Sequence, residues 1–573
     1  MKRIALVFVL AAVAAGGVYF ASHRAPSTPP TAVTNLLPAA TVAFVHLPDF
    51  QRSHGEWKDS DLFKLYHEQS VQDFLKPLRN VPQQGAATQN LSDLERLDPK
   101  DTFLAVTSIE NNSPHSVGGF RFRGSQSDAE QIVGKWRTRL VRDTSAHESV
   151  DYETHKIDIA GAAPNQIATV YDREWFFASN DLAELKAVLD RADGRSKDRQ
   201  STLEANETFR TAIAHMPSIY ALLFYLQPKS VAEKVADAGR QLSAEEFQRK
   251  FGLAGNTIQN IDSICGAAKF DKGKIRDVIF VPAPKPATAV ELTRSSLKLG
   301  SVDTFLYTAM LLNPDRFGGV DQIGTGLPLG SWLQRVFDVA SHSGLTADDW
   351  KNAFDLEASA LAEWPQTSHL PSIVAVVPVK DQARAFKIAD TLTKAIDENA
   401  TWRKAEKDGV RYYYMQSPVA LFAITPTIAV SNQAMIVGLD SISVEAAMSR
   451  SQPKAKSITT LADSPPYKNA LRAVPSPTTG FVYVDTALLY TRLDAAVRPM
   501  LLMSAAFMPA IGEYVDATKL PPAETVTKHL SPIVLSQRYE RDGYVTESVG
   551  PVSLEIGVVL PAIGWVLNAE KDH

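Results

Sequence analysis

The chain repeats itself. Ala129, Val133, Trp136 and Leu140 stand at spacings 0, 4, 7 and 11, and Ala385, Ala389, Leu392 and Ile396 repeat that spacing at a constant offset of 256. Such spacing is one apolar stripe of an amphipathic helix. Leu203, Phe209 and Pro217, spaced 6 and 8, return as Leu461, Tyr467 and Pro475 at an offset of 258. A chain bound by this pattern must fold the same way twice, because equal spacing buries equal faces.

The elements between these anchors also recur. Leu37-Pro38-Ala39-Ala40-Thr41-Val42 has a counterpart in Leu297-Lys298-Leu299-Gly300-Ser301-Val302, each leading into an apolar strand, the first of them at Thr41–Val45. Gly119–Phe122 and Ile373–Val379 read as strands before the paired helices. Hairpins follow, Ile167–Tyr171 with Trp175–Ser179 and Thr427–Val430 with Met435–Leu439. The next helices carry Leu185, Val188 and Leu189 in one copy, and Val444, Ala447 and Met448 in the other. Strands at Tyr220–Leu226 and Gly480–Val484 come next. Each copy closes on a hairpin, Ile264–Phe270 with Ile275–Val281 and Ile533–Tyr539 with Tyr544–Val549, turning at glycine-containing sequences.

Hairpins without strict helix–strand alternation predict an α+β fold: two tandem copies of a largely antiparallel sheet with packed amphipathic helices, preceded by an N-terminal apolar helix. The expected divisions are a signal anchor or signal peptide over 1–21, a Pro/Ser/Thr-rich tether over 22–36, repeat units over 37–286 and 287–553, and a tail over 554–573. Pro282-Ala283-Pro284-Lys285-Pro286 reads as a stiff linker. Ser230–Phe251 is expected as a copy-specific polar helix, and Phe317–Gly330 as a glycine-rich loop. The run Ile556–Leu567 is apolar but too short to span a bilayer.

Lys2 and Arg3 precede an uncharged apolar run from Ile4 to Ala21. This is the pattern of an export signal. Tyr19 and His23 occupy the −3 positions of the two candidate cleavage sites, which favours an uncleaved inner-membrane anchor with the rest of the chain outside the cytoplasm. A net charge of −5 without a basic block argues against nucleic acid as a partner. The single cysteine, Cys265, rules out an intramolecular disulfide and a cysteine metal cage, and reads as a buried strand residue.

The chemical motifs are weak. Ser295-Ser296-Leu297-Lys298 matches the Ser-x-x-Lys pattern of penicillin-recognising enzymes, but its Lys-Thr-Gly companion is absent from the sequence. Gly324–Gly330 resembles a phosphate loop without Gly-Lys-Ser/Thr. His46, His54 and His67 lack zinc-site spacing and are expected at the surface or in loops. Asp59, Asp61, Glu68 and Asp73, like Asp348, Asp349 and Asp355, read as solvated helix faces. Tyr412-Tyr413-Tyr414 reads as an aromatic strand with one core face and one outward ring. No residue is assigned a catalytic, cofactor-binding or metal-binding role, and no cofactor is expected.

Leu37-Pro38-Ala39-Ala40-Thr41 looks like the Leu-Pro-Ala-x-Thr opening of exported bacterial proteins. With the pattern ending at Pro217 and Pro475, and His529-Leu530-Ser531-Pro532-Ile533 before a hairpin, the chain resembles a bacterial family known as a domain of unknown function. The resemblance implies a signal or anchor and a duplicated extracytoplasmic region, periplasmic in location, and carries no site residues across. Lys298 and Gly300 depart from the opening motif in the second copy. The expected function is a non-catalytic envelope scaffold or binding module, held to the membrane by residues 4–21 and meeting an envelope protein or a lipid. A carrier of a lipid or other hydrophobic ligand is the alternative, and an extracytoplasmic hydrolase the third reading.

Overall fold

The computed structural model describes residues 31–79, 93–110, 113–123, 125–140, 147–161, 166–196, 201–237, 261–286, 290–312, 344–396, 401–416, 425–452, 459–507 and 517–553. The expected apolar helix over 4–21, the loop Phe317–Gly330 and the run Ile556–Leu567 lie outside these residues. Among the described residues no helix is long and apolar enough to cross a membrane. The chain divides into two compact units. Among the described residues, one runs to Ala283 and takes in Gly543–Val545 with Val552 and Ser553; the other comprises Pro284–Asp542 and Thr546–Pro551.

Ten strands are described in the first unit: β1 (Ala43–Asp49), β2 (Lys100–Glu110), β3 (Ser113–Arg121), β4 (His147–Tyr152), β5 (His155–Ala160), β6 (Ile167–Asp172), β7 (Trp175–Ser179), β8 (Leu222–Leu226), β9 (Ile264–Asp271) and β10 (Lys274–Pro282). Every pairing is antiparallel, in the order β10-β9-β8-β1-β2-β3-β7-β6-β5-β4. Helix α1 (Phe50–Lys58) leaves β1 and α2 (Gln126–Leu140) leaves β3. The helices α3 (Leu182–Ala192) and α4 (Glu207–Ile213) follow β7, and α5 (Pro228–Asp237) follows β8.

Period-2 alternation sorts the strand side chains onto two faces. Phe44, Phe103 and Phe177 meet Leu185, Val188 and Leu189 of α3 and Phe209 of α4 on one face. Phe120 and Phe176 meet Ala129, Ile132 and Val133 of α2 on the other. The sheet is therefore covered by helices on both sides. Trp136 and Leu140, expected on the α2 stripe, have side chains outside the described residues.

The second unit has β11 (Thr304–Leu311), β12 (Glu357–Glu363), β13 (Ser372–Pro378), β14 (Thr401–Lys407), β15 (Val410–Gln416), β16 (Thr427–Val430), β17 (Ala434–Gly438), β18 (Gly480–Val484), β19 (Ile533–Glu540) and, from Thr546 on, β20 (Gly543–Gly550). Their antiparallel order is β20-β19-β18-β11-β12-β13-β17-β16-β15-β14. Helix α6 (Gln382–Ile396) buries Ala385, Ala389 and Leu392 against Val377 and Met435. Helix α7 (Ser441–Ser451) buries Val444, Ala447 and Met448 against Val376 and Ile436 on the other face. Helix α8 (Pro465–Leu471) carries Tyr467, and α9 (Thr486–Phe507) follows β18. The Ile396 side chain lies outside the described residues.

Local chemistry fixes the ends of these elements. Asp181 caps α3 by accepting the backbone N–H groups of Ala183 and Glu184, and Asp440 caps α7 by accepting that of Ser443. The β9–β10 and β14–β15 turns place Lys272-Gly273 and Asp408-Gly409 at positive φ, the geometry a two-residue hairpin loop requires.

Two expectations are corrected. Residues 31–36 do not form part of an extended tether. Thr31–Thr34 is a helical turn, and Val33, Leu36 and Leu37 enter the core because their spacing puts them on one side. The openings of the two units align three residues away from the sequence pairing. Thr41 N–H bonds Pro38 O and Thr304 N–H bonds Ser301 O, while Pro38 bridges Thr202 and Ser301 bridges Thr460. Leu37 thus matches Gly300 rather than Leu297, because the hydrogen-bond ladder sets register and a Leu-x-Leu run does not. Of the expected helix Ser230–Phe251, the part up to Asp237 belongs to α5, and the rest lies outside the described residues.

Candidate functional site

A cleft of about 610 Å³ lies within the second unit. Val290–Leu299 forms one side, and the ends of β11, β12 and β13 and the β16–β17 turn form the other. Glu357, at the start of β12, holds the Val290–Leu299 segment in place. Its Oε2 accepts the N–H groups of Thr293 (2.9 Å) and Arg294 (2.8 Å) and the Thr293 hydroxyl (2.7 Å), and its Oε1 accepts the N–H of Ser295 (2.9 Å). The carboxylate satisfies donors at the start of a short helical turn, Ser295–Leu299, which has no partners of its own there. Arg294 adopts a left-handed conformation at that point, with φ 53°.

The cleft floor is apolar, with Leu299, Leu311, Val376 and Ala434 among its residues. Its rim is charged. Lys298 Nζ donates to Gln433 Oε1 at 3.3 Å, and Lys380 Nζ lies 3.3 Å from Asp355 Oδ1. Both lysines are exposed. Ser296 is buried instead, donating to Ser359 Oγ at 2.6 Å and lying 3.1 Å from Tyr307 OH. Burial pushes the Tyr307 phenol well above its ordinary range. Shape and lining suit a ligand of mixed polarity, since small-molecule sites commonly enclose ~300–1,000 Å³ with an apolar wall and few polar groups.

The first unit places a carboxylate at the matching ladder position. His46 pairs with Phe103 and Ala309 pairs with Ser359; Asp101 and Glu357 each stand two residues before those partners. Asp101 is fully buried and left-handed, φ 45°, and accepts from Arg121 Nη2 at 2.7 Å. The His46 ring lies between Tyr220 OH, 2.9 Å from Nδ1, and Asp101 Oδ1, 3.6 Å from Nε2. Burial pushes the Tyr220 phenol far up, so it remains an O–H. Beside them Lys100 Nζ pairs with Asp49 Oδ2 at 2.5 Å, both nearly fully buried. Each buried charge has an opposite partner, which such burial requires.

A second cluster forms where the β6–β7 turn meets the end of α3. His155, Asp172 and Asp193 each offer a donor atom within 4.8 Å of the others. The His155 Nε2–Asp193 Oδ2 hydrogen bond, 2.7 Å, holds the Asp193 carboxyl below its ordinary range. Arg173 and Arg195 bond the same carboxylate, so its negative charge is already neutralised by cations of this chain.

The structure gathers some sequence candidates and separates others. Ser295 and Lys298, from one motif, and Asp355, from an acidic group read apart from it, all line the cleft, whereas Glu357 carries no sequence signal. The surface expectation for histidines is overturned for His46 and His54, which are buried; His67 is exposed. His46 stacks on Phe44 on the face of β1 that packs against α3 and α4, and His54 lies on α1 beside Phe50. Cys265 is buried in β9. Tyr412 and Tyr414 stack at 5.8 Å on one face, while Tyr413 is fully buried against the α6 layer, so the strand lacks the expected outward ring. Burial and a bond to Glu445 push the Tyr414 phenol up to about 12. Asp348, Asp349 and Asp355 are exposed, and Gly324–Gly330 lies outside the described residues.

No protein-family model matches the chain, and no curated protein is significantly similar to it. A solved structure titled "Structure of crystal form I of TP0453" is similar at 12% identity and a TM-score of 0.22, covering 49% of this chain and 88% of its own.

Proposed function

We propose that this chain is an exported, non-catalytic envelope protein built from two copies of one unit, and that it acts as a binding module through the cleft of its second unit. The copy reading is supported by the strand order, which runs alike through the ten described strands of each unit, and by α2 and α6 lying on the same sheet face. The observation that carries the binding reading is the cleft, with its rim lysines exposed while Glu357 and Ser296 are committed to holding its wall. Residues 2–25 support export and an anchor outside the cytoplasm. The same residues and the opening Leu37–Thr41 support membership of the exported bacterial family that the chain resembles.

A panel of hydrolase and transferase assays on the purified chain is expected to give no turnover that a single substitution abolishes; such turnover overturns the reading. Protease added to spheroplasts is expected to digest the units, and their full protection would contradict export.

The second reading is a carrier of a hydrophobic ligand. It is favoured by the apolar floor below Lys298 and Lys380, which suits an acyl chain ending in an anion. Titration with cis-parinaric acid tests it. Lys298→Glu combined with Lys380→Glu is expected to weaken binding about tenfold or more, since two opposed charges replace two attractive ones. Equal binding by both proteins removes the cleft as the seat.

A further inference from the structure

Helix α9 is charged on the inside and apolar on the outside. From Thr491 to Met503 every exposed residue is uncharged, and Leu493, Met500, Leu502 and Met503 are 45, 63, 44 and 59% exposed. The charged residues of this stretch turn inward. Arg492 bonds Asp303 Oδ1 at 2.8 Å and Trp364 O at 2.8 Å. Arg498 bonds Asp494 and the carbonyls of Leu520 and Pro521. A helix facing water does the reverse, placing charge outward and apolar residues on the core.

The first unit provides the comparison. Its helix after the matching strand, α5, is the ordinary kind, with Lys229 and Glu233 exposed and Val231 buried. Of these two helices, as far as their residues are described, the apolar outer face belongs to α9. Four of the thirteen large exposed apolar residues among the described residues fall within eleven positions on it, three of them, Leu493, Met500 and Met503, spaced 7 and 3 on one face, too concentrated for the scatter normal at protein surfaces.

We propose that the outer face of α9 lies against a lipid bilayer, in the plane of the interface. Pro499 to Phe507 carry no charge, leaving nothing there that must stay in water. The inward ion pairs leave the helix surface neutral, which suits acyl chains better than a polar-rimmed protein partner. Residues 4–21, read as an export anchor, set the same chain at a membrane, and α9 supplies a second contact. The proposal stands independently of any ligand in the cleft.

The test is local, so the N-terminal segment does not mask it. The full chain is reconstituted in phosphatidylcholine vesicles with an NBD label on Met503→Cys. Buried Cys265 is checked for labelling in the unsubstituted protein. An exposed position elsewhere in the unit, Asp348→Cys, is the control. The expected result is a blue-shifted emission and quenching by doxyl-labelled lipid at position 503, with neither at 348. Leu493→Cys repeats the measurement if the first variant fails to fold. Emission at 503 matching that at 348 overturns the proposal. So does a blue shift that grows with protein density without doxyl quenching, which assigns the face to a second copy of the chain.

Discussion

Oε2 of Glu357 accepts the backbone N–H of Arg294 at 2.8 Å, at a residue whose φ is 53°. A left-handed conformation costs a residue with a side chain roughly 1–2 kcal/mol. The carboxylate offsets that cost with charge-assisted bonds to three consecutive N–H groups, and thereby sets the path of one cleft wall.

Glu357→Gln keeps the side chain's size but turns an NH2 toward a backbone donor. The second unit is expected to lose about 1–3 kcal/mol, the cost of leaving a buried donor unmet. Urea denaturation measures it, and an unchanged midpoint would contradict the role given to this residue.

The Asp193 carboxyl is lowered in the folded state, chiefly by its hydrogen bond with His155. A lowered carboxyl contributes stability that is whole above its unfolded value and is lost as pH falls through its folded value. Asp193→Asn removes that contribution. The variant is expected to be less stable than the parent at neutral pH, and the gap to narrow below the ordinary carboxylate value of about 4. Urea midpoints at a series of pH values test this, and a gap constant with pH counts against it.

Gly119 lies in β3 opposite Phe177 of β7. A Cβ on Gly119 would meet Phe176 O at 2.6 Å and Phe177 Cδ1 at 2.7 Å. Gly119→Ala is therefore expected to destabilise the first unit by about 1–3 kcal/mol through overpacking. A thermal midpoint equal to that of the parent would show that the two phenylalanines yield.

Phe209 and Tyr467 are both buried, and each meets a tyrosine edge-on, Tyr225 at 5.1 Å and Tyr483 at 5.1 Å. Phe209→Ala and Tyr467→Ala are each expected to cost about 3–5 kcal/mol by opening a cavity. Tyr467→Phe is expected to cost far less, because it gives up only the 3.2 Å bond from Arg294. Denaturation of the three variants tests the ranking, and a Phe variant as damaged as the Ala variant reverses the assignment.

What could be read from the sequence was whatever local periodicity controls. Ala129 with Val133, and Ala385 with Ala389, showed their buried faces because a helix repeats every 3.6 residues. The hairpins showed themselves through their turns. The cleft did not, because its pieces come together only through the ladder: Glu357 lies 63 residues from Arg294. His46 was misread for the same reason, since Tyr220, which completes its environment, lies 174 residues further on. The opening pairing of Leu37 with Leu297 slipped because short apolar runs resemble one another at several offsets.

In the sheet of the first unit, β1 lies between β2 and β8, pairing with Phe224 at Val45 and Leu223 at His46. The earliest strand is thus a middle one, and one of its neighbours arrives only after some 170 further residues. For a chain emerging from its N-terminus this sets a waiting time. The edge of β1 that will meet β8 stays open until Leu222–Leu226 appears, and an open apolar edge recruits foreign strands. Long-range closure of this kind slows folding. The half-made unit is therefore the vulnerable species, and a holding factor at the exit point would act within that interval.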